Sequence, residues 1–335
     1  MRHRLKDVAE RAGVSVKTVS NVVNGHVHVR PVTRARVEEA IAELNYRPNL
    51  SARHLRKGRT GVIALAVPEL DIPYFAELAR HVVTAAAAYG WTVLIDQTGG
   101  RREQERVIAS GITDHLVDGL IVSPLAFTAE DLAGLEGTPT VLLGERVEHG
   151  PADRVVIDNV TAAREITHHL ITLGHRRIAA IGSQRTDGGA SARLRLAGYA
   201  DALRAAGLAY DEALVAPAPA WHRADGAAAM RGLLDSGVRP DAVFCFNDTL
   251  ALGALRALHE AGLRVPEDVA VVGFDDIEDG RFSIPTLSTV APDKERIAHL
   301  AVELLADRLD GDPAAPAKEL RAPYRLELRE STRTP

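Results

Sequence analysis

The chain has 335 residues, of which 46% are hydrophobic, so it can bury a sizeable core and form more than one structural unit. Its one cysteine, Cys245, cannot form an internal disulfide, and no apolar run approaches the ~20 residues of a membrane-spanning helix. The N-terminus lacks the apolar segment of a secretory signal. These features argue against a secreted or membrane protein, and we expect a cytoplasmic one.

The net charge of −5 conceals an uneven distribution. Residues 1–60 contain 13 Lys and Arg against 5 Asp and Glu, whereas the remainder contains 27 against 40. A basic N-terminal segment on an acidic body is typical of a protein that meets a polyanion through one end. Because a basic tail without a partner would carry the same charge, the residue pattern has to decide between the two.

The first sixty residues predict three short helices, over 5–12, 16–24 and 33–44, with apolar side chains at helical spacing. Ser15 and Thr33 are in a position to cap the second and third of them. Two short helices joined by a tight turn, with a third packed across them, form a helix-turn-helix unit. Spacing alone does not separate this unit from other small three-helix bundles.

The residues within these helices resemble the head of the LacI/GalR repressor family. The resemblance is carried by Asp7-Val8-Ala9-Glu10, Ala12-Gly13-Val14-Ser15, Thr18-Val19-Ser20-Asn21-Val22-Val23-Asn24-Gly25 and Leu44-Asn45-Tyr46-Arg47-Pro48-Asn49. These motifs occur in the family's order and at its spacing. One departure is Arg4, which stands where the family usually has a capping threonine. The resemblance implies a DNA-binding domain over residues 1–48.

In that family the second helix lies in the major groove, and its first turn reaches base edges. The resemblance implies base-reading roles for Val16, Lys17 and Asn21, although Val16 could instead belong to the core. Lys17 can donate to guanine, Asn21 can pair with adenine, and Val16 can pack on a thymine methyl. The resemblance further implies backbone-phosphate contacts, which fix register without reading sequence, by Ser15, Ser20, Asn24, His28 and Arg30.

Residues 49–60 are expected to link the head to the body. A linker could simply be flexible, but the resemblance implies a hinge helix that orders on DNA, with Ala52 and Leu55 entering the minor groove. Leu55 is apolar and has basic neighbours, which suits a side chain that unstacks a base step and bends the duplex. Ordering this helix only on DNA would let the body control the head.

Past residue 60, short β-branched runs alternate with Ala- and Leu-rich helical stretches. The predicted strands are 62–67, 92–95, 120–122, 140–143, 178–181, 242–246, 269–272 and 324–328, and the predicted helices include 75–89, 162–173, 192–206 and 249–261. Alternation of this kind predicts parallel sheets covered by helices. A body of this length favours two α/β subdomains with a cleft between them.

The body also resembles that of the LacI/GalR family, which has a type I periplasmic-binding-protein-like fold. The motifs are Asp118-Gly119-Leu120-Ile121-Val122, Leu173-Gly174-His175-Arg176-Arg177-Ile178, Arg195-Leu196-Ala197-Gly198-Tyr199, Asn247-Asp248-Thr249-Leu250-Ala251-Leu252-Gly253 and Val272-Gly273-Phe274-Asp275-Asp276. The resemblance implies an effector-binding and dimerisation domain over 61–335. We expect its subdomains to comprise residues 61–160 plus 291–335, and residues 161–290.

Ligands of open α/β sheets bind beyond the carboxyl ends of the strands, so residues that follow strands nominate the site. Carboxylate, amide and guanidinium groups can bond paired hydroxyls, and an aromatic ring can stack on the apolar face of a sugar. Phe75 could instead be core and Trp221 a surface anchor. The candidate effector contacts, which match the family's, are Tyr74, Phe75, Ser191, Arg195, Trp221, Asn247 and Asp275.

The sequence does not contain the residue patterns typical of metal, dinucleotide or catalytic sites. His168, His169 and His175 do not have metal-ligand spacing, and Pro68 follows the first strand where a dinucleotide-binding protein would have glycines. Neither a nucleophile elbow nor a phosphate-binding loop is present. We therefore expect no metal, no cofactor and no enzyme.

The favoured interpretation is a transcriptional regulator, expected to repress carbohydrate-use genes. Its affinity for the operator is expected to change when it binds a small-molecule effector, which is expected to be a sugar. A purine-like co-repressor or a protein partner could replace the sugar, and a solute-binding protein or a metabolic enzyme could share the body. One head reads too few base pairs for specificity, so we expect a homodimer on a pseudo-palindromic double-stranded operator. The resemblance implies no tetramer, because the family's leucine-heptad tail is missing.

Overall fold

The computed structural model describes residues 5–23, 29–44, 46, 58–111, 117–133, 138–147, 150–184, 189–312 and 315–332. It divides into two compact units, Met1–Gly61 and Val62–Pro335. Four of the sequence-predicted DNA contacts lie outside the described residues: Asn24, His28, Ala52 and Leu55. None of the helices in the described ranges is long and apolar enough to cross a bilayer.

The N-terminal unit contains helices α1 (Leu5–Ala12), α2 (Val16–Val23) and α3 (Pro31–Glu43). Their apolar faces share one small core that includes Val8 and Val19. This arrangement is the helical head that the spacing of apolar residues predicts.

Helices α2 and α3 begin in different ways. The Ser15 hydroxyl accepts a hydrogen bond from the Thr18 amide at 3.1 Å, as expected for the cap of α2. The predicted cap at Thr33 is wrong, because α3 already begins at Pro31, with Arg30 at the N-cap position. Proline at the first helical position has a suitable φ and lacks an N–H that would have no partner there.

The C-terminal unit is built on two six-stranded sheets. The strands of the first, in spatial order, are β11 (Glu319–Arg321), β5 (Asp153–Val156), β4 (Thr140–Leu143), β3 (Gly119–Val122), β1 (Val62–Val67) and β2 (Thr92–Gln97). The second has the order β12 (Tyr324–Glu327), β10 (Ser288–Pro292), β9 (Ala270–Phe274), β8 (Ala242–Cys245), β6 (Ile178–Ser183) and β7 (Val215–Pro217). All pairs are parallel except β10 with β12.

Helices cover the sheets, as the sequence predicts for an α/β body. They are α4 (Pro73–Ala88), α5 (Arg102–Gly111), α6 (Ala129–Ala133), α7 (Asn159–Thr172), α8 (Ala190–Ala205), α9 (Arg223–Asp235), α10 (Asp248–Glu260), α11 (Glu278–Arg281) and α12 (Lys294–Asp310). The apolar faces of α4 and α12 join the first sheet in one core. Helices α7 to α10 surround the second, larger core.

The chain passes between the sheets more often than expected. The sequence predicts that residues 291–335 belong wholly to the first subdomain. Helix α12 and strand β11 do lie with the first sheet, but the prediction is wrong for β12. That strand pairs with β10 in the second sheet, with Val290 opposite Leu326. The sequence pattern also missed β5, β7, β10 and β11, which are three to five residues long. Such strands are specified by pairing with neighbours rather than by their own composition.

Candidate functional site

A cavity of about 520 Å³ opens between the two sheets of the body. It collects residues that follow β1, β4, β8 and β9 and residues from the first turns of α4 and α8, as the strand-end argument requires. All seven side chains nominated from the sequence line it: Tyr74, Phe75, Ser191, Arg195, Trp221, Asn247 and Asp275.

Arg195 occupies the base of this cavity and is buried. Its Nε donates to Asn159 Oδ1 at 2.8 Å, and its Nη1 donates to the carbonyl of Phe246. The guanidinium lies over the ring of Phe274 at 3.5 Å and 5.4 Å from the ring of Trp221. Burial lowers the pKa of Arg195, and the nearby carboxylates of Asp275 and Glu145 oppose that shift.

Asp275 follows β9 and has a φ of 114°, a conformation that L residues rarely adopt. Its Oδ1 lies 3.9 Å from Arg195 Nη2, and the side chain is almost fully enclosed. Burial raises the pKa of this carboxyl to about 6, against the opposing influence of Arg195 and Lys294. A carboxyl in such a setting benefits from hydrogen-bond donors on a ligand.

Trp221 is fixed from several sides and lines the cavity. Its Nε1 donates to the Gly182 carbonyl at 2.9 Å, and its ring meets Phe246 edge to face with centroids 6.3 Å apart. Gly182 has a φ of 123° and no room for a side chain, since a Cβ would lie 2.7 Å from Phe246 Cβ. The half-buried ring therefore forms a firm apolar wall of the cavity.

Asn247 holds the same wall in place. Its Oδ1 caps α10 by accepting from the Leu250 amide at 2.8 Å, and its Nδ2 donates to the Trp221 carbonyl at 3.1 Å. Both ends of this amide are therefore engaged within the chain, and its contribution to the site is first of all the placement of Trp221.

Glu145 also lines the cavity, although it is not among the residues nominated from the sequence. Glu145 Oε2 accepts from the Ser191 hydroxyl at 3.2 Å, and its Oε1 accepts from the Ile157 amide at 3.3 Å, while burial raises the pKa of the carboxyl. Glu145 stands two residues beyond β4, so the strand-end argument could have found it. The hydrogen bond to Ser191 joins the two halves of the body across the cleft.

A second contact crosses the cleft at Glu69, which follows β1. Its Oε2 lies 3.0 Å from Nε2 of His222, the residue that precedes α9.

In the described ranges, His, Cys, Asp and Glu side chains do not form a cluster of three or more that could hold a metal ion.

The start of α2 presents side chains to solvent. Val16 is 46% exposed and Lys17 is exposed, whereas Val19 is buried in the head core. The exposure of Val16 argues against the core alternative. Asn21 is partly exposed and Arg30 is exposed, so each can be reached by a partner. Ser15 is engaged as the cap of α2, and Ser20 also has an interaction within the chain.

Comparisons with known proteins cover both units. Residues 4–49 match the model "Bacterial regulatory proteins, lacI family", and residues 167–332 match "Periplasmic binding protein-like domain". The HTH-type transcriptional repressor CytR of Escherichia coli (strain K12) is 34% identical over 98% of this chain and 96% of its own length. The chain belongs to the LacI family.

Solved structures of the LacI family match most or nearly all of the chain. A putative LacI-family regulator from Sanguibacter keddieii is 48% identical (TM-score 0.76) and covers 82% of this chain and 99% of its own. The regulator CelR in complex with cellobiose is 35% identical (TM-score 0.73; 98% and 100%). The lac repressor dimer bound to operator and an anti-inducer is 31% identical (TM-score 0.77; 99% of each).

Membership of the LacI family confirms the predicted fold class, a helix-turn-helix head with a periplasmic-binding-protein-like body. The protein is a DNA-binding transcriptional regulator and not an enzyme, as its relatives are repressors. The roles of individual cavity and head residues stay predictions.

Proposed function

We propose that this LacI-family regulator represses carbohydrate-use genes and that a neutral sugar in the cleft changes its affinity for the operator. The observation that carries the proposal is the cavity itself. It combines a buried guanidinium and carboxyl at its base, Arg195 and Asp275, with the aromatic wall of Trp221. Its volume of about 520 Å³ is in the range of sites for small organic ligands.

The chemistry of the lining suits a polyhydroxylated ring. Hydroxyl groups can donate to Asp275 and Glu145 and accept from Arg195, while Phe75 and Trp221 offer apolar surfaces for the ring faces. The carboxylates of Asp275 and Glu145, both enclosed, disfavour a further negative charge nearby by like-charge repulsion. The proposal is supported by CelR, a relative whose structure contains cellobiose.

For the assembly we infer a homodimer, which would place two heads on the half-sites of a pseudo-palindrome. The sheet edge at β2 exposes Leu94 and Ile95, and a loop after α11 exposes Phe282 and Ile284, the last at 97%. Exposed apolar side chains of this kind are typical of surfaces that another chain covers. The lac repressor, a relative, is a dimer on its operator.

The test combines operator binding with ligand release. An operator selected from random duplex DNA is titrated with the full chain by fluorescence anisotropy, alone and with cellobiose, lactose, glucose, ribose, glucose 6-phosphate, adenosine, cytidine or hypoxanthine. We expect specific binding whose affinity changes with one neutral sugar of this panel. A response confined to hypoxanthine or adenosine would favour the purine-like alternative. Specific operator binding that none of these sugars changes would contradict the proposed sugar effector.

A further inference from the structure

The side chain of Lys294, on helix α12, contacts the backbone at Asp275 on the other side of the cleft. This helix packs on the first sheet, yet Nζ of its first residue, Lys294, donates to the carbonyl oxygens of Asp275 at 2.6 Å and Asp276 at 2.9 Å. Both of these residues have positive φ values, 114° and 50°. An ammonium group that binds both carbonyls stabilises a backbone conformation that would otherwise be costly.

The Lys294 ammonium is itself held by Glu77 of α4. Their Nζ and Oε2 atoms are 2.6 Å apart, and the lysine side chain is only 10% exposed. The other oxygen of Glu77 accepts from the amide of Glu278, the first residue of α11, at 3.0 Å. The pair therefore joins the helices of the first sheet to the segment after β9 in the second.

We propose that Lys294 is a positioning residue for Asp275, and that the Lys294–Glu77 pair ties this ligand-facing carboxyl to the other half of the body. A ligand that bonds to Asp275 then acts on both halves through one ammonium group. The inference rests on the proposed function only in taking Asp275 as a ligand contact; the test below is made without ligand.

Lys294 and Glu77 have opposite effects on the pKa of Asp275, and this difference distinguishes the proposed role from a purely packing role. The positive charge of Lys294 lowers the pKa of Asp275, and the negative charge of Glu77 raises it. The other charged or titratable groups that act on Asp275 or its neighbours are Arg195, Tyr74, Asp248 and Asp276. Removing Lys294 should therefore raise this pKa, and removing the charge of Glu77 should lower it.

The consequence for stability has a definite sign. The pKa of Asp275 in the folded protein, about 6, exceeds its usual value of 3.8. The contribution of the protonated carboxyl to the free energy of unfolding is therefore complete below about pH 4 and is lost as the pH rises through 6. Lys294→Met should extend that loss to higher pH, so that its deficit in Tm relative to wild type grows between about pH 5 and 8. Glu77→Gln should show the opposite slope.

The experiment measures Tm of the full-length protein against pH for Lys294→Met, Glu77→Gln and wild type. A change of one pKa unit corresponds to a difference of roughly 3 °C across this range. Because Lys294 also pairs with Glu77, both variants are repeated in an Asp275→Asn background, where the opposite slopes should disappear. Lys318→Met removes an exposed lysine that pairs with Asp307 and serves as the matched control without a slope.

Equal slopes for both variants, or slopes that persist in the Asp275→Asn background, would overturn the proposal while leaving the proposed function intact. If Lys294→Met does not fold, Glu77→Gln alone decides, since its slope must be positive relative to wild type and must depend on Asp275. Failure of the operator titration, in contrast, would leave this ligand-free result unaffected.

Discussion

Arg195 and Asp275 form an ion pair at the base of the cavity without a direct hydrogen bond, since Nη2 and Oδ1 are 3.9 Å apart. The guanidinium is fixed by its bonds to Asn159 and Phe246, and the backbone of Asp275 is fixed by Lys294. The pair therefore retains hydrogen-bonding capacity for a bound ligand.

The first prediction concerns the response to effector. Asp275→Asn keeps the size of the side chain but removes its charge, so we expect effector affinity to fall by roughly 10–100-fold, as for loss of a charged hydrogen bond. Operator affinity without effector should stay near that of wild type. Calorimetry with the best ligand of the panel and operator titration measure the two quantities. Asp307→Asn, an exposed change far from the cavity, is the control; an unchanged response in Asp275→Asn would place the ligand site elsewhere.

Effector affinity should depend on pH. Hydroxyl donors favour the charged form of Asp275, whose pKa burial raises to about 6, so ligand binding releases protons and affinity falls as the pH drops below 6. The fall approaches about tenfold per pH unit for one titrating group. Glu145 contributes as well, because burial raises its pKa. Calorimetry at several pH values in buffers of different ionisation enthalpy measures the proton release; a flat profile would contradict the prediction.

A third prediction tests the exposed start of α2. Lys17→Ala should relax specificity at one base pair of each half-site, at a cost of about 1–3 kcal/mol against the preferred base. Lys6→Ala removes an exposed lysine of α1 and should weaken all sequences alike, if at all. Anisotropy titrations with single-base operator variants compare the two. Uniform weakening by Lys17→Ala would reduce its role to a phosphate contact.

The exposed loop after α11 provides a test of the dimer. Ile284→Asp places a charge at a side chain that is 97% exposed, so it should not disturb the fold of the body. If a second copy covers this loop, burying the unpaired carboxylate disfavours association, and the dimer dissociation constant should rise by more than about tenfold. Sedimentation equilibrium measures it. Leu173→Asp, at another exposed apolar position, serves as control, and an unchanged dissociation constant for Ile284→Asp would exclude the loop from the interface.

The buried ion pair between Arg308 and Asp153 should contribute strongly to the free energy of unfolding. Arg308 donates to both oxygens of Asp153, with Nε–Oδ2 at 2.6 Å and Nη2–Oδ1 at 2.7 Å, and Asp153 is fully enclosed. Arg308→Ala would leave an uncompensated buried carboxylate, which costs about 3–5 kcal/mol of unfolding free energy. Urea denaturation should show at most about 1 kcal/mol for the control Arg321→Ala, whose ion pairs are exposed. Similar values for both would contradict the expectation.

Features that depend on neighbours along the chain could be predicted from the amino-acid sequence. Apolar spacing and the Ser15 cap specify α2 because a helix satisfies its own backbone, and β-branched runs specify central strands such as β1 because both of their faces are buried. Asn247 and Asp275 were predicted to line one cavity because ligands bind beyond the carboxyl ends of parallel strands, which lie at the same edge of a sheet. Arg195 and Trp221 do not follow strands directly, and they were nominated from their chemistry and the family resemblance.

Features that join two segments distant in the sequence could not be predicted in this way and are seen in the three-dimensional structure. Strand β12 crosses to the second sheet because its partner β10 is there, which its own composition does not specify. The hydrogen bond from Ser191 to Glu145 and the contact from Lys294 to the backbone of Asp275 join residues of different sheets. Such contacts depend on where the sheets place their strand ends, and a residue's sequence neighbours carry no information about that separation.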